Sequence, residues 1–477
     1  MKKLILNLFI FLYVSIAVPF IYADPSSDWH TGVNYFYAQD YEKSVKYIQK
    51  AVDSDPKEEW KSFLEFAIAT RDATKDFLKF ENDKFVLRLH PDDKILNYYA
   101  FESLNSAYEI LGNALGCFPE RKVTVEVYPT PESFNVASSL SKRDMETSGA
   151  VGICKFNKIM MLSPRCLAFG FRWMDTFTHE YAHYLVAEKT KNNCPLWLHE
   201  GIARYCDTLW RTGSPEKSLY LTPQYKNLLS SNKNKLIPFL KMEPSLVKLD
   251  TSEEVSLAFA EVSTAVDRLG MGNIKSILSN LGDGSDIDEA FQKAVGETVN
   301  DFEVENSSYI AWAEFEATPG AVLDSTKLKS PDVDELNEFV PLAAANYIKL
   351  GDRFLKNGYL PAAVEEYKKA EIAEPNNPVI LNKLSKILFS QNQFGEAVKK
   401  LKKAIDANPN YAPSYTNLGD LYFYTGRYSD AVPCYEQSNQ INPFNPAIHK
   451  NLAECYEQLK SEKNAEREYS VVRDIIF

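Results

Sequence analysis

Two stretches decide how this chain reads: His179-Glu180-Tyr181-Ala182-His183, and further on Pro195-Leu196-Trp197-Leu198-His199-Glu200-Gly201-Ile202-Ala203. The first lies in a helical pattern running from about Trp173 to Glu188. Residues four apart share a helix face, so both imidazoles can reach one ion while Glu180 projects beside them. Zn2+ suits such donors. With a third protein ligand it keeps an open position where a water is acidified, and Glu180 is placed to take that water's proton as it attacks a carbonyl. Only six histidines occur in 477 residues, so this spacing seldom arises by chance.

Sixteen residues separate His183 from Glu200. Pro195 suits the first turn of a second helix, and Gly201 is expected to let that helix approach the first closely. A carboxylate there is a plausible third ligand. His199 is the competing donor, but neighbouring helix residues point about 100° apart, so the two do not both coordinate, and Glu200 is preferred. HExxH followed by W-x-x-E-G-x-A resembles the gluzincin metallopeptidases, and most closely the peptidase MA-like domains of bacterial proteins that often also carry tetratricopeptide (TPR) repeats. The resemblance covers roughly Phe85 to Trp312. It implies an α+β zincin-like metallopeptidase domain, with His179, His183 and Glu200 as zinc ligands and Glu180 as general base. Relatives tend to carry Ala-Tyr where this chain has Ala258-Phe259, which removes the obvious residue for stabilising an oxyanion. Tyr181 and Tyr184 read as helix packing, with Tyr205 nearby. Asp207 is placed to orient a ligand histidine. His30, His90 and His449 are isolated and read as structural or exposed.

Around this centre strands and helices alternate. Phe85 to Leu89 and Val123 to Tyr128 read as strands on either side of a helix from Ile95 to Ala114. Gly149 to Ile153 and Ile159 to Leu162 read as a further pair joined by the polar Lys155-Phe156-Asn157-Lys158. Either strand of that pair is a candidate edge along which a peptide backbone would lie. Leu257 to Leu281 and Ile287 to Val295 read as closing helices.

The last third is periodic. Pro375, Pro409 and Pro443 recur every 34 residues, as do Ala363, Ala397, Ala431 and Ala465. A small residue stands twelve positions before each alanine, at Gly351, Ser385, Gly419 and Ala453, and a large one four after it, at Tyr367, Leu401, Tyr435 and Tyr469. Period and layout resemble TPR repeats, which predicts an all-α solenoid of four units whose last, polar hairpin caps itself. Gly32, Tyr35, Tyr41, Ser44, Ile48, Ala51 and Pro56 fit one further unit, expected to pack on a helix from Glu58 to Phe80 or on the central domain.

Composition sets the frame. The length suggests roughly three domains at about 150 residues each. With 45% hydrophobic and 25% charged residues, wholesale disorder is excluded. A net charge of −12 gives no overall reason to approach nucleic acid or anionic lipid. Met1-Lys2-Lys3, the apolar run to Phe20 and Ala23 before Asp24 have the shape of a signal peptide, so the protein is expected to be exported, periplasmic or secreted, or anchored by that segment if it stays uncleaved. Seven cysteines without a CxxC pair suggest buried thiols with one or two bridges. The expected organisation is a signal peptide at 1–23, a helical region with one TPR-like hairpin at 24–83, a gluzincin-like domain at 84–317, a linker at 318–340 and four TPR repeats at 341–477. The function expected is an exported zinc metallopeptidase that takes peptide or protein substrates and binds a protein partner through its repeats. The alternatives are a weakly active or non-catalytic zinc-binding TPR scaffold, and zinc chemistry on another amide or ester bond.

Overall fold

A computed structural model describes residues 25–243, 246, 249–321 and 326–476; the expected signal peptide lies outside them. No helix among the described residues is long and apolar enough to cross a membrane. The chain divides into two compact units, residues 1–72 and 73–477.

In the first unit, helices α1 (Pro25–Tyr37) and α2 (Tyr41–Ser54) form a hairpin, and α3 (Glu58–Thr74) follows. Gly32 makes the hairpin possible, because a Cβ there would stand 2.5 Å from Ile48 Cγ1. The expected packing on the next helix is seen: Trp29 stacks on Trp60 at 5.0 Å, and Phe36 meets Phe63 edge-on. That helix stops at Thr74, short of the expected Phe80.

The second unit opens instead with a strand. A five-stranded sheet has the order β1-β2-β3-β5-β4, with β1 (Leu78–Glu81), β2 (Phe85–Leu89), β3 (Val123–Tyr128), β4 (Gly152–Lys155) and β5 (Lys158–Leu162). Strands β2, β3 and β5 are parallel, while β1 and β4 are antiparallel edges. Strand β5 is therefore interior, and β4 alone of the expected pair offers a free edge. It starts later than expected, since Ser141 caps a short helix whose C-cap is Gly149 at φ 71°. The β4–β5 turn puts Phe156 and Asn157 at φ 56° and 57°, as a tight two-residue hairpin needs.

Helices α4 (Asn97–Leu115), α5 (Pro131–Ser138) and α6 (Lys142–Ser148) intersperse the strands, followed by α7 (Trp173–Thr190), α8 (Leu196–Cys206), α9 (Leu209–Thr212) and α10 (Pro223–Ser231). Next come α11 (Ser252–Gly282), broken at Gly270, then α12 (Ile287–Ala294) and α13 (Val299–Trp312). Trp173, Phe177, Tyr181 and Leu185 form a fully buried stripe at four-residue spacing along α7, so its other face is left for the site.

After the short α14 (Glu335–Phe339), the repeats are four hairpins: α15 (Leu342–Lys356) with α16 (Leu360–Ala373), α17 (Pro378–Ser390) with α18 (Phe394–Ala407), α19 (Ala412–Tyr424) with α20 (Tyr428–Asn439), and α21 (Pro446–Gln458) with α22 (Glu462–Ile476). The register is physical. A Cβ on Gly351 would lie 2.5 Å from Tyr367, and one on Gly419 2.7 Å from Tyr435. The large residue thus covers the small one of its own hairpin.

The final hairpin does not cap itself. Val471 of α22 is fully buried in the core shared with the sheet and α4. Asp474 meets Lys94 Nζ at 3.0 Å and accepts from Tyr98, and Tyr99 donates to Glu468 at 2.7 Å. His449, one of the isolated histidines, is buried against the same Glu468 at 2.7 Å. The expected linker also participates: Leu328 bridges Leu167, and the Ala168 N–H donates to the Lys327 carbonyl. All seven cysteines are free thiols, so the bridges expected from the sequence are absent.

Two stability predictions follow from these buried positions. Val471→Asp places an unpaired charge where repeat and sheet cores meet; it should cost about 3–5 kcal/mol and lower one shared calorimetric transition rather than a separate repeat transition. Glu261 on α11 is buried, accepting from the Ile237 N–H at 3.0 Å, and burial raises its carboxyl to about 9. A raised carboxyl stabilises the fold fully below its unfolded pKa and loses that contribution as pH rises through 9. Glu261→Gln should therefore raise the melting temperature relative to wild type more at pH 8 than at pH 5.

Candidate metal centre

The cleft-facing side of α7 carries Thr176, His179, Glu180, His183 and Ala187, at the spacing of one helix face. Helix α8 crosses beside it and brings in Glu200. His179 Nε2 and His183 Nε2 lie 3.2 Å apart, and Glu200 Oε2 is 3.8 Å from the first and 3.5 Å from the second. Donors at about 2.0–2.1 Å from a tetrahedral zinc stand roughly 3.3 Å from one another. The triangle has that size, so the residues fit the ion. Among the described residues, these three form the group able to hold a metal.

His199 turns away. Its Nε2 donates to the His183 carbonyl at 3.1 Å, and its ring packs edge-on against His183 at 4.5 Å. It braces the backbone of α7 and leaves Glu200 as the carboxylate donor. Gly201, expected to ease approach to α7, faces α11: a Cβ there would meet the Val262 carbonyl oxygen at 2.7 Å. Pro195 is the residue just before α8.

Burial pushes His179 well below the usual histidine range, with His183 and Arg204 adding to the effect. His183 is raised, because Glu200 and its hydrogen bond outweigh burial. Glu200 is lowered for the reciprocal reason. Burial, reinforced by Glu200, lifts Glu180 to about 7. Glu180 lies against strand β4, where a Cβ on Gly152 would come within 2.6 Å of its Oε1, and its Oε2 is buried without a hydrogen-bond partner. Only glycine leaves room for this carboxylate beside the free edge.

The cleft over these groups has a volume of about 1100 Å³, and its far wall is built by the repeats through Asp406, Pro409, Asn410, Tyr415 and Gln437. The tie between the two walls is Arg172, at the N-cap of α7. Its guanidinium donates to Asn410 at 2.8 Å, Gln437 at 3.0 Å, Gln440 at 3.2 Å, the Pro409 carbonyl at 2.7 Å and Tyr415 at 3.4 Å. Trp173 Nε1 donates to the Asn439 carbonyl at 3.1 Å. Helix α7 therefore begins inside the repeat array.

Asp207 does not orient a histidine. It pairs with Arg204 at 3.3 Å. Phe259 carries the Arg204 guanidinium over its ring at 4.5 Å. Tyr181 packs against Phe85 and Tyr108, Tyr184 accepts from Arg121, and Tyr205 donates to the Pro215 carbonyl. Gln224, whose amide oxygen and nitrogen are buried without partners, also lines the cleft. Sequence reasoning passed over Arg172, Arg204 and Gln224. Only Arg204 carried a readable signal, its four-residue spacing from Glu200.

Comparison with known proteins bears on the repeats. The TPR repeat family matches residues 385–426 and 419–460, and a tetratricopeptide repeat matches residues 32–58. No curated protein matches the chain. Among solved structures, MamA is 23% identical, covering 28% of this chain and 77% of its own with a TM-score of 0.26. The Pseudomonas aeruginosa protein pilF is 22% identical, covering 28% of this chain and 60% of its own with a TM-score of 0.27.

If the triangle is the metal site, purified protein should carry about one zinc per chain. Glu200→Ala and His183→Ala should each lose it, while His199→Ala keeps it. Elemental analysis after gel filtration distinguishes these outcomes; zinc retained in Glu200→Ala and lost in His199→Ala would make His199 the third ligand instead.

Proposed function

We propose that this chain is an exported zinc-dependent peptidase with a zincin-like catalytic region, acting on a peptide or protein brought to its cleft. The observation that carries the reading is the donor triangle of His179, His183 and Glu200, with the Glu180 carboxylate held beside it by the Cys154 backbone of β4 and its Oε2 left without a hydrogen-bond partner. Zinc held by those three side chains supplies Lewis acidity toward a water and a substrate carbonyl. Glu180 accepts the water's proton and returns it to the leaving amine; a carboxyl lifted toward neutrality by burial suits both transfers. Strand β4 is the edge along which an extended peptide could lie, with the Cys154 backbone already given to Glu180, so main-chain hydrogen bonds from the rest of the edge would hold the substrate across the cleft.

The TPR repeats support protein binding, and the repeat matches fit a second reading better than the first: a scaffold that holds zinc, binds protein partners and cleaves little or nothing. Glu180→Gln separates the two. Under the peptidase reading it keeps its zinc and loses roughly 10²- to 10⁴-fold in kcat on a peptide library. If wild type and variant show the same absence of cleavage while both bind zinc and protein partners, the scaffold reading stands and the peptidase reading falls.

A further inference from the structure

Three arginines line the cleft, and two of them are already committed. Arg172 is spent on the repeats, and Arg211 grips Asp175 through Nε at 3.1 Å and a terminal nitrogen at 3.0 Å. Arg204 is different. It donates to Asp207 at 3.3 Å, and its Nε is buried without a hydrogen-bond partner among the described residues. It follows Glu200 by one helical turn, so the two Cβ atoms stand about 5–6 Å apart on the face of α8 that meets the metal triangle.

The environment seats this guanidinium, and Tyr225, Asp207 and Glu200 are the polar groups that feel its charge most within the cleft. Phe259 lies under it at 4.5 Å and Asp207 fixes one terminal nitrogen. Phe259 supplies a cation–π shelf with no hydroxyl of its own, and the Tyr225 phenol is the neighbouring hydroxyl that feels the arginine's charge. The charge is felt by His179, Glu180, His183 and Glu200 alike. A rigid, permanently charged fork beside a metal is suited to an oxygen that gains negative charge.

We propose that Arg204, seated on Phe259, is the catalytic electrophile of this site, donating to the substrate carbonyl oxygen as it becomes an oxyanion. The inference rests on the peptidase reading and deepens it. As the water oxygen bonds to the carbonyl carbon, the carbonyl π pair moves onto the oxygen that Arg204 faces, and the water's proton passes to Glu180. When that pair returns, the carbon–nitrogen bond breaks and the amine leaves with the proton from Glu180. Arg204 thereby takes the role that a tyrosine at position 259 fills in related sequences, and the arginine and phenylalanine act as a matched pair.

The test uses the full chain and a phosphinate pseudopeptide, whose tetrahedral anionic centre mimics the oxyanion. Arg204→Met should keep its zinc and bind an uncleaved peptide in a Glu180→Gln background within about threefold of its parent, yet lose roughly 10²- to 10³-fold in phosphinate affinity and in kcat. Adding Phe259→Tyr to Arg204→Met should recover part of both. Zinc-loaded Arg204→Met that binds phosphinate and turns over like an active wild type overturns the proposal alone. A zinc-loaded wild type that neither binds phosphinate nor cleaves peptide overturns the peptidase reading, and this proposal with it. If Arg204→Met fails to fold, Arg204→Lys replaces it: a loss of about tenfold or more in phosphinate affinity supports the bidentate role, and parity overturns it.

Discussion

The donor triangle depends on how closely α8 is wedged between α7 and α11. On one side Gly201 lies on the backbone of α11, with no room for even a methyl group before the Val262 carbonyl oxygen. On the other, Glu200 reaches the two histidines and His199 braces the His183 carbonyl. Leu198, Ile202 and Ala203 between them are fully buried. Interiors packed at crystal-like density do not deform gradually, so a side chain at position 201 would displace Glu200 as well. Distances of 3.2 to 3.8 Å among three donors are set by core packing as much as by the donors themselves.

The repeats enter the same construction from the opposite side. Helix α7 lacks a side-chain cap of its own, and Arg172 and Trp173 fasten its first turn to Pro409, Asn439 and their neighbours in the array. The far end of the solenoid is closed by the sheet core through Val471. A repeat array usually stacks only on itself and carries a polar terminal cap. Here the cap is the block that carries the donor triangle, so the repeats and the candidate metal site belong to one compact body rather than to two modules joined by a linker.

Much of this was legible locally and little of it at long range. The pentad, Glu200 and the 34-residue register depend on spacing along single helices, where period and face follow from geometry. Strand β1 was not legible, because Leu78 to Glu81 is a largely exposed edge that becomes a strand only by pairing with β2. Gly201 announced a close approach but not its partner, since a glycine records the absence of a side chain and not the identity of the neighbour. Arg204 sits at a readable spacing from Glu200, yet its seat is Phe259, 55 positions further on, and the loss of a tyrosine there looked like a defect. Val471 is an apolar residue on a polar helix, and only the docking of α22 gives it a core.

The balance between an enzyme and a scaffold then turns on what the fold leaves unsatisfied. Buried polar atoms without partners cost about 1–3 kcal/mol each, and native proteins keep few of them. Glu180 Oε2, Arg204 Nε and both amide atoms of Gln224 are such atoms, and their residues line one cleft. On the scaffold reading, apolar substitutions at Glu180 and Gln224 would relieve these costs without loss of function. A site that must receive a metal, a water and a peptide backbone supplies the missing partners on binding. The gathering of several of these atoms in one cleft, next to a glycine that makes room for a carboxylate, is the physical ground on which the proposal of chemistry there rests, beside repeats that support protein binding.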